Sequence, residues 1–223
     1  MSVVRALGPL ARDVTFIGGA IAPLLRTDNT IPRSRPTKDV DAIVASRGHR
    51  DDGRFSDAVR ECGFTHVTGV RAHAHRWRSK EGILVDLVPA GDHAGASGNR
   101  WDALALEEAV TVVIDGTAVR HASAAAFLAL KLEAFNDRGG GDVLASHDIE
   151  DVVALIASRA SVVADVAAAH PEIRARVQRF ARTVTDAGIV DDILAAHLNN
   201  AEDRAWAIEI ARGRIVEMAT ARG

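Results

Sequence analysis

Two segments close together in the chain, FIGGAIAPLL at 16–25 and RPTKDVDAIV at 35–44, constrain its fold more than any other part of the sequence. The β-branched and aromatic residues before the two glycines predict a strand, and Gly18-Gly19 then allows a sharp turn. A helix is expected to begin near Ala20. The start of such a helix presents unpaired N–H groups, which are suited to binding phosphate.

Alternating carboxylates mark the second segment. Asp39 and Asp41 are two residues apart in a predicted strand, so they point to the same face and lie roughly 6–7 Å apart, close enough to share a divalent cation. Asp86 is the single charge in the apolar run 83–88, where a cation or hydrogen bonds would have to compensate it. Each carboxylate also has a simpler explanation: a strand cap for Asp39, solvent exposure for Asp41, and an ion pair with a nearby arginine for Asp86.

Taken together, the Gly18-Gly19 turn, the Asp39-x-Asp41 pair and the later Asp86 resemble the signature of the nucleotidyltransferase superfamily with the DNA polymerase β fold. In that superfamily a Gly-Gly or Gly-Ser turn precedes an Asp-x-Asp/Glu pair, and a later strand adds a third carboxylate. Many relatives carry a serine or threonine after the first turn glycine, whereas this chain has Gly19 and then Ala20. One hydroxyl contact to phosphate is therefore missing from the pattern.

A narrower resemblance rests on the spacing Arg35-x-Thr37-x-Asp39-x-Asp41, which is most similar to the abortive-infection (AbiEii-type) nucleotidyltransferases. That family includes the toxin halves of certain bacterial toxin–antitoxin pairs. Lys131 and the segment 147–151 resemble the family's helical lysine and the acidic segment that follows it, although His147 replaces a lysine. The resemblance covers residues 14–156.

The resemblance implies Mg²⁺-dependent transfer of a nucleotide, with two Mg²⁺ ions and a nucleoside triphosphate such as ATP as the donor. It assigns catalytic and metal-binding roles to Asp39, Asp41 and Asp86, and Asp86 is also a candidate general base. It assigns nucleotide-binding roles to Gly18, Gly19, Arg35, Thr37, Lys131 and Asp148. The acceptor is unspecified: it could be RNA, protein or a small molecule, and a cognate antitoxin is an expected partner in the toxin case.

Other cationic positions have two explanations each. Lys131 lies on the apolar stripe of a predicted helix, so it either binds the triphosphate or extends along the helix to solvent. The basic loop 26–38 either contacts the triphosphate or acceptor or is a solvated loop. The segment 71–78, which includes Arg76, either forms a rim for an anionic acceptor or is an exposed cationic strand.

Composition bounds the class of protein. The chain has 223 residues, 48% of them hydrophobic, which is enough for one large or two modest domains. The single cysteine excludes an intramolecular disulfide, and no apolar run predicts a membrane span, so a cytoplasmic protein is expected. Aromatic residues make up 4% and the formal charge is −3, which argue against a stacking platform and against broad binding of nucleic-acid backbones.

The expected fold is α/β (α+β): a polymerase β-like nucleotidyltransferase sheet flanked by helices, followed by an all-helical C-terminal domain. The catalytic domain is expected at 1–118 and the helical domain at 119–223, because apolar residues recur at helical spacing from Ser123 onward. The predicted strands and helices are: strands at 14–17, 40–44, 65–70, 75–79, 83–88 and 110–114; helices at 51–61, 124–135, 149–156, 162–169, 172–185, 189–198 and 205–218.

Three functions are compatible with these features. The first is a toxin-type nucleotidyltransferase that acts on RNA or protein. The second is an antibiotic-type enzyme with a small cationic substrate, which the net negative charge mildly favours. The third is a nucleotide-binding protein without turnover.

Overall fold

The structure is a computed structural model, and it describes residues 2–28, 31, 37, 39–45, 49–68, 75–90, 100–138 and 141–221. The chain forms two compact units. The first contains 1–21 and 37–122, and the second contains 22–36 and 123–223. Beyond the C-terminal helices expected from residue 119, the second unit therefore also includes an N-terminal segment. No helix in the described ranges has the length and apolar character needed to cross a membrane.

The strands in the described part of the first unit form one seven-stranded mixed sheet, in the order β3-β4-β5-β2-β1-β7-β6. The strands are β1 (Val14–Ile17), β2 (Asp39–Ala45), β3 (Thr65–His66), β4 (Arg76–Arg78), β5 (Leu84–Ala90), β6 (Val110–Ile114) and β7 (Thr117–His121). β2 runs parallel to β5 and antiparallel to β1, and β1 runs parallel to β7. The mixed sheet with flanking helices confirms the expected fold class.

Helices of the first unit flank this sheet: α1 (Ser2–Leu7), α3 (His49–Glu61) and α4 (Asp102–Glu107), with 3-10 turns at Gly8–Arg12 and Gly19–Ile21. Alternation along the first part of β5 shows how this strand packs. Val85 and Leu87 are buried, whereas Asp86 between them is on a half-buried face. An apolar run such as 83–88 is typical of a strand that is buried on both faces. Here Val85 and Leu87 are buried, whereas the face around Asp86 is partly open to solvent.

The second unit is helical, with α2 (Ala22–Leu25), α5 (Ala124–Asp137), α6 (His147–Ser158), α7 (Val162–Ala168), α8 (Pro171–Asp186), α9 (Val190–His197) and α10 (Arg204–Thr220). α5 contacts α6, α7 and α8, and its residues are buried around most of its circumference. Ser123 caps α5 by accepting a hydrogen bond from the amide of Ala126 at 3.1 Å. α5 is therefore the central helix of this unit.

The N-terminal part of the second unit is held by hydrogen bonds to the end of α6. The amides of Thr27 and Asp28 donate to the carbonyl of Ser158 at 3.1 and 2.8 Å. The Thr27 hydroxyl also donates to that carbonyl, at 3.1 Å, and accepts from the amide of Ala160 at 2.9 Å. Arg159 donates to the carbonyl of Leu25 at 2.8 Å. These bonds join segments about 130 residues apart in the sequence.

Most expected elements are present, with differences at their ends. β3 ends at His66 rather than continuing toward Val70, and residues 69–70 lie outside the described ones. Among the α-helices and strands of the described residues, α1, α4 and β7 were not predicted. β7 follows β6 through the two-residue turn Asp115-Gly116, in which both residues have positive φ, so this Asp-Gly pair was a hairpin signal.

Replacing Leu128 by alanine is expected to lower the free energy of unfolding by about 2–5 kcal/mol, because Leu128 is fully buried in the centre of the second unit. Val216→Ala, at an exposed position on α10, is the control and should cost much less. Urea denaturation followed by circular dichroism measures both. Equal losses in the two variants would contradict the assigned core.

Candidate active site

Three carboxylates predicted from the sequence lie on one face of the sheet. Asp41 on β2 is in register with Asp86 on β5, and Asp39 is two residues from Asp41 on the same face. On the other side of β2, Ile17 at the end of β1 is in register with Asp41. The parallel pairing of β2 with β5 therefore places the carboxylates next to the end of β1, where the glycine turn begins.

The glycine turn approaches Asp41 closely. Gly18 has φ +66°, which L-residues with side chains rarely adopt, and a Cβ atom built on it would lie 2.2 Å from Oδ2 of Asp41. The side chain of Asp41 therefore occupies the space that any larger residue at 18 would need. A 3-10 turn at Gly19–Ile21 and the single α-turn of α2 follow, so the expected helix is short.

Thr37 joins the turn to the start of β2. Its hydroxyl donates to the backbone carbonyl of Asp39 at 2.9 Å and lies 3.3 Å from Oδ1 of the same residue. A Cβ atom on Gly19 would lie 3.4 Å from Cβ of Thr37, so these two residues are close neighbours. The structure thus brings together Gly18, Gly19, Thr37 and Asp39 from the predicted set, all within the first unit.

Arg76 on β4 contacts two of the three carboxylates. Its Nε and Nη2 atoms donate to the two oxygens of Asp86, at 2.8 and 2.6 Å, and Nη2 also donates to Oδ2 of Asp39 at 2.8 Å. The side chains are 19% exposed for Arg76, 13% for Asp86 and 32% for Asp39. The guanidinium is therefore a partly buried cation that bridges two strands of the site.

The hydrogen bond to Asp86 raises the pKa of Arg76 above its usual range. Burial acts in the opposite direction, and the negative charges of Asp86, Asp39 and Asp41 add to the increase. All three carboxylates therefore act on this one guanidinium.

The carboxylate oxygens of Asp39, Asp41 and Asp86 are chemically suited to bind a divalent cation. Three carboxylates on neighbouring strands supply hard oxygen ligands, and Mg²⁺ usually binds one or two carboxylates together with water and substrate phosphates. Within the described part of the chain, however, no three His, Cys, Asp or Glu side chains are already placed to hold a metal ion. The carboxylates of Asp39 and Asp86 face the Arg76 guanidinium instead.

Comparison with solved structures identifies the fold. The chain is similar to an antigenic nucleotidyltransferase-like protein from Paracoccidioides brasiliensis, with a TM-score of 0.52, 19% identity, and coverage of 88% of this chain and 92% of that chain. The present chain therefore has a nucleotidyltransferase-like fold. The antibiotic-resistance factor ANT(2'')-Ia also matches, with a TM-score of 0.48, 14% identity, and coverage of 84% of this chain and 95% of that chain. No protein-family model matches the sequence, and no curated protein matches it at a significant level.

Within the nucleotidyltransferase-like fold, Lys131 and Asp148 belong to the second unit. Nζ of Lys131 lies 2.5 Å from Oδ2 of Asp151 and 3.4 Å from Oδ1 of Asp148. Asp148 is buried in the first turn of α6 and also contacts Arg138. Lys131 therefore does not extend freely to solvent: its charge is balanced by two carboxylates of the neighbouring helix. The expected role of Lys131 and Asp148 in nucleotide binding stays a prediction.

Arg76 is the residue whose place the sequence did not predict. It was expected either on a rim for an acceptor or on an exposed strand. The exposed position is wrong for Arg76, because the antiparallel pairing of β4 with β5 sets it opposite Asp86 and leaves 19% of its side chain exposed; the acceptor rim stays a prediction. The ion pair considered as the simpler explanation for Asp86 is present. Several predicted cationic positions lie outside the described residues. They are Arg35 with the rest of 29–36 apart from Ile31, and 71–74 of the expected rim.

Replacing Gly18 by alanine tests the close approach of the turn to Asp41. A positive φ alone costs an alanine about 1–2 kcal/mol, and the contact with Asp41 adds to that cost, so we expect a loss of about 2–4 kcal/mol in unfolding free energy. Gly116→Ala is the matched control: it also has positive φ, but no atom lies within 4 Å of the added Cβ. Thermal and urea denaturation compare the two variants, and an equal loss would show that Asp41 does not pack against the turn.

Proposed function

We propose that this chain is a metal-dependent nucleotidyltransferase that moves a nucleoside monophosphate from a nucleoside triphosphate to an acceptor hydroxyl. One observation carries the proposal: the Gly18 turn lies against Asp41, which is in register with Asp86 and two residues from Asp39. The nucleotidyltransferase-like fold supports it.

In this reaction the acceptor oxygen forms a bond to the α-phosphorus, and the bond from that phosphorus to the β-phosphate oxygen breaks. Pyrophosphate leaves with the electron pair. The hydroxyl proton passes to a base, for which Asp86 is the candidate once its oxygens are released from Arg76.

Asp39, Asp41 and Asp86 would hold two Mg²⁺ ions. When bound, such ions neutralise the charge that develops on the attacking and leaving oxygens. The protein's own part is to position the groups: the Gly18-Gly19 turn lets the backbone approach the triphosphate, and Thr37 fixes the start of β2 through its hydrogen bond to Asp39.

We further propose that the acceptor belongs to RNA or protein and that the chain acts as the toxin of a two-gene module. Its resemblance in Arg35-x-Thr37-x-Asp39-x-Asp41 to AbiEii-type nucleotidyltransferases supports this assignment. A small-molecule acceptor, and nucleotide binding without turnover, are the alternative outcomes of the experiment below.

Asp41→Asn is expected to reduce transfer of label from an α-³²P nucleoside triphosphate by about 10³-fold or more, because it removes a metal-binding charge while keeping the side-chain volume. The assay supplies Mg²⁺ and cell extract and tests each of the four nucleotides. Asp57→Asn is the control, since Asp57 is an exposed residue of α3 paired with Arg60 at 2.6 Å. It should leave the transfer rate within about twofold of wild type.

Digestion of the labelled product identifies the acceptor class. Sensitivity to ribonuclease or to protease would support RNA or protein, and resistance to both would indicate a small molecule. If wild type and Asp41→Asn label the extract equally with every nucleotide, or neither labels it at all, the enzyme assignment is wrong.

A further inference from the structure

The Arg76 guanidinium engages carboxylate oxygens that the proposed metal ions would need as ligands. One of its nitrogen atoms, Nη2, donates both to Asp39 at 2.8 Å and to Asp86 at 2.6 Å, and Nε donates to the remaining oxygen of Asp86 at 2.8 Å. Both oxygens of Asp86 and one oxygen of Asp39 are thus engaged by one cation. A carboxylate oxygen that accepts a hydrogen bond from a guanidinium is poorly oriented to bind a metal ion at the same time. The positive charges of the guanidinium and of the metal ion also repel each other.

The register of the strands fixes this contact, so it differs from an ion pair between mobile side chains on the surface. Arg76 is in register with Asp86, and Asp86 is in register with Asp41, so the three residues form one row across β4, β5 and β2. Arg76 is mostly buried, with 19% of its side chain exposed. Ion pairs of this burial are less screened by water and salt than exposed ones.

We propose that Arg76 acts as an internal counter-ion that keeps Asp39 and Asp86 in place before metal binds, and that a divalent cation must displace its guanidinium to bind there. This inference rests on the proposed function, because it takes Asp39, Asp41 and Asp86 as the metal ligands. Arg76 is in this sense a positioning residue: it stabilises the metal-free site and weakens binding of metal alone.

A consequence concerns the triphosphate. Displacement leaves a partly buried guanidinium without its carboxylate partners, which is unfavourable unless another anion replaces them. The phosphates of a bound nucleotide are such anions, and arginine binds them in a bidentate manner. Metal and triphosphate should therefore bind more cooperatively in wild type than in a variant that lacks the guanidinium.

The test measures Mn²⁺ binding to the full chain without nucleotide, by the electron paramagnetic resonance signal of free Mn²⁺. Arg76→Gln is expected to bind Mn²⁺ about tenfold more tightly than wild type, because it removes a competing positive charge. Arg78→Gln is the matched control: Arg78 is an exposed residue two positions along the same strand and should leave the affinity unchanged. Asp39→Asn should remove the binding and so locate it.

Three further measurements separate this role from a purely structural one. Without metal, Arg76→Gln should have a lower melting temperature than wild type, and Mn²⁺ should raise it by more than it raises that of wild type. Arg76→Lys keeps the charge but loses the forked geometry, so it should bind Mn²⁺ with an affinity between those of wild type and Arg76→Gln. If Arg76→Gln fails to fold, Arg76→Lys replaces it in the test. With a non-hydrolysable triphosphate added, the factor by which nucleotide tightens Mn²⁺ binding should be smaller in Arg76→Gln.

The outcomes distinguish failure of the inference from failure of the proposed function. If wild type binds Mn²⁺ in an Asp39-dependent manner and neither folded Arg76 variant binds it more tightly, the counter-ion role is wrong while the metal site stands. If neither wild type nor any folded variant binds Mn²⁺ and no label transfer occurs, both the inference and the proposed function are wrong.

Discussion

The parallel ladder between β2 and β5 fixes the position of the carboxylates in the candidate active site. It pairs all seven residues of β2, from Asp39 to Ala45, with Leu84 to Ala90 in unbroken register. A shift by one residue would turn Asp86 to the face of Val85 and Leu87, which is buried, and would bring apolar side chains to the face of Asp41. The burial of the apolar face therefore holds the acidic face in place as well.

This arrangement concentrates negative charge, and the concentration has to be compensated. Three carboxylates on two neighbouring strands repel one another. Arg76 on β4 partly compensates this charge, because its guanidinium bridges Asp39 and Asp86. A buried or partly buried ion pair is weak evidence for net stabilisation, because desolvation offsets much of the attraction. Its effect here is better understood as positional: it keeps two carboxylates in a defined orientation on the strands that carry them.

The sequence predicted the parts of this arrangement that depend on local patterns. Alternation placed Asp39 and Asp41 on one face, and helical spacing located α5 through α10 with small errors at their ends. An ion pair of Asp86 with a nearby arginine was one of the explanations considered, but Arg76 was not identified as that arginine, because the choice depends on strand pairing, which one strand alone does not specify. A signal was nonetheless present: the three-residue loop 80–82 ends in glycine, and a β4–β5 hairpin closed by such a loop pairs Ser79 with Ile83 and hence Arg76 with Asp86. Lys131 was located on its helix, and only the family resemblance associated it with the acidic segment 147–151. That Asp151 is its nearer carboxylate depends on how the two helices pack, which no local pattern specifies.

The hydrogen bonds between the N-terminal segment of the second unit and the end of α6 have a consequence for biosynthesis. Thr27 is synthesised long before Ser158, its partner 131 residues later, and at about 5–20 residues per second the delay is on the order of 10 s. During that interval β1 and β2 can pair and the glycine turn can approach Asp41, since these residues belong to the first unit, while Thr27 and Asp28 have to wait for Ser158. The helical unit therefore cannot be completed as a simple downstream module, because it incorporates a segment that was synthesised near the start of the chain and that must wait for α6.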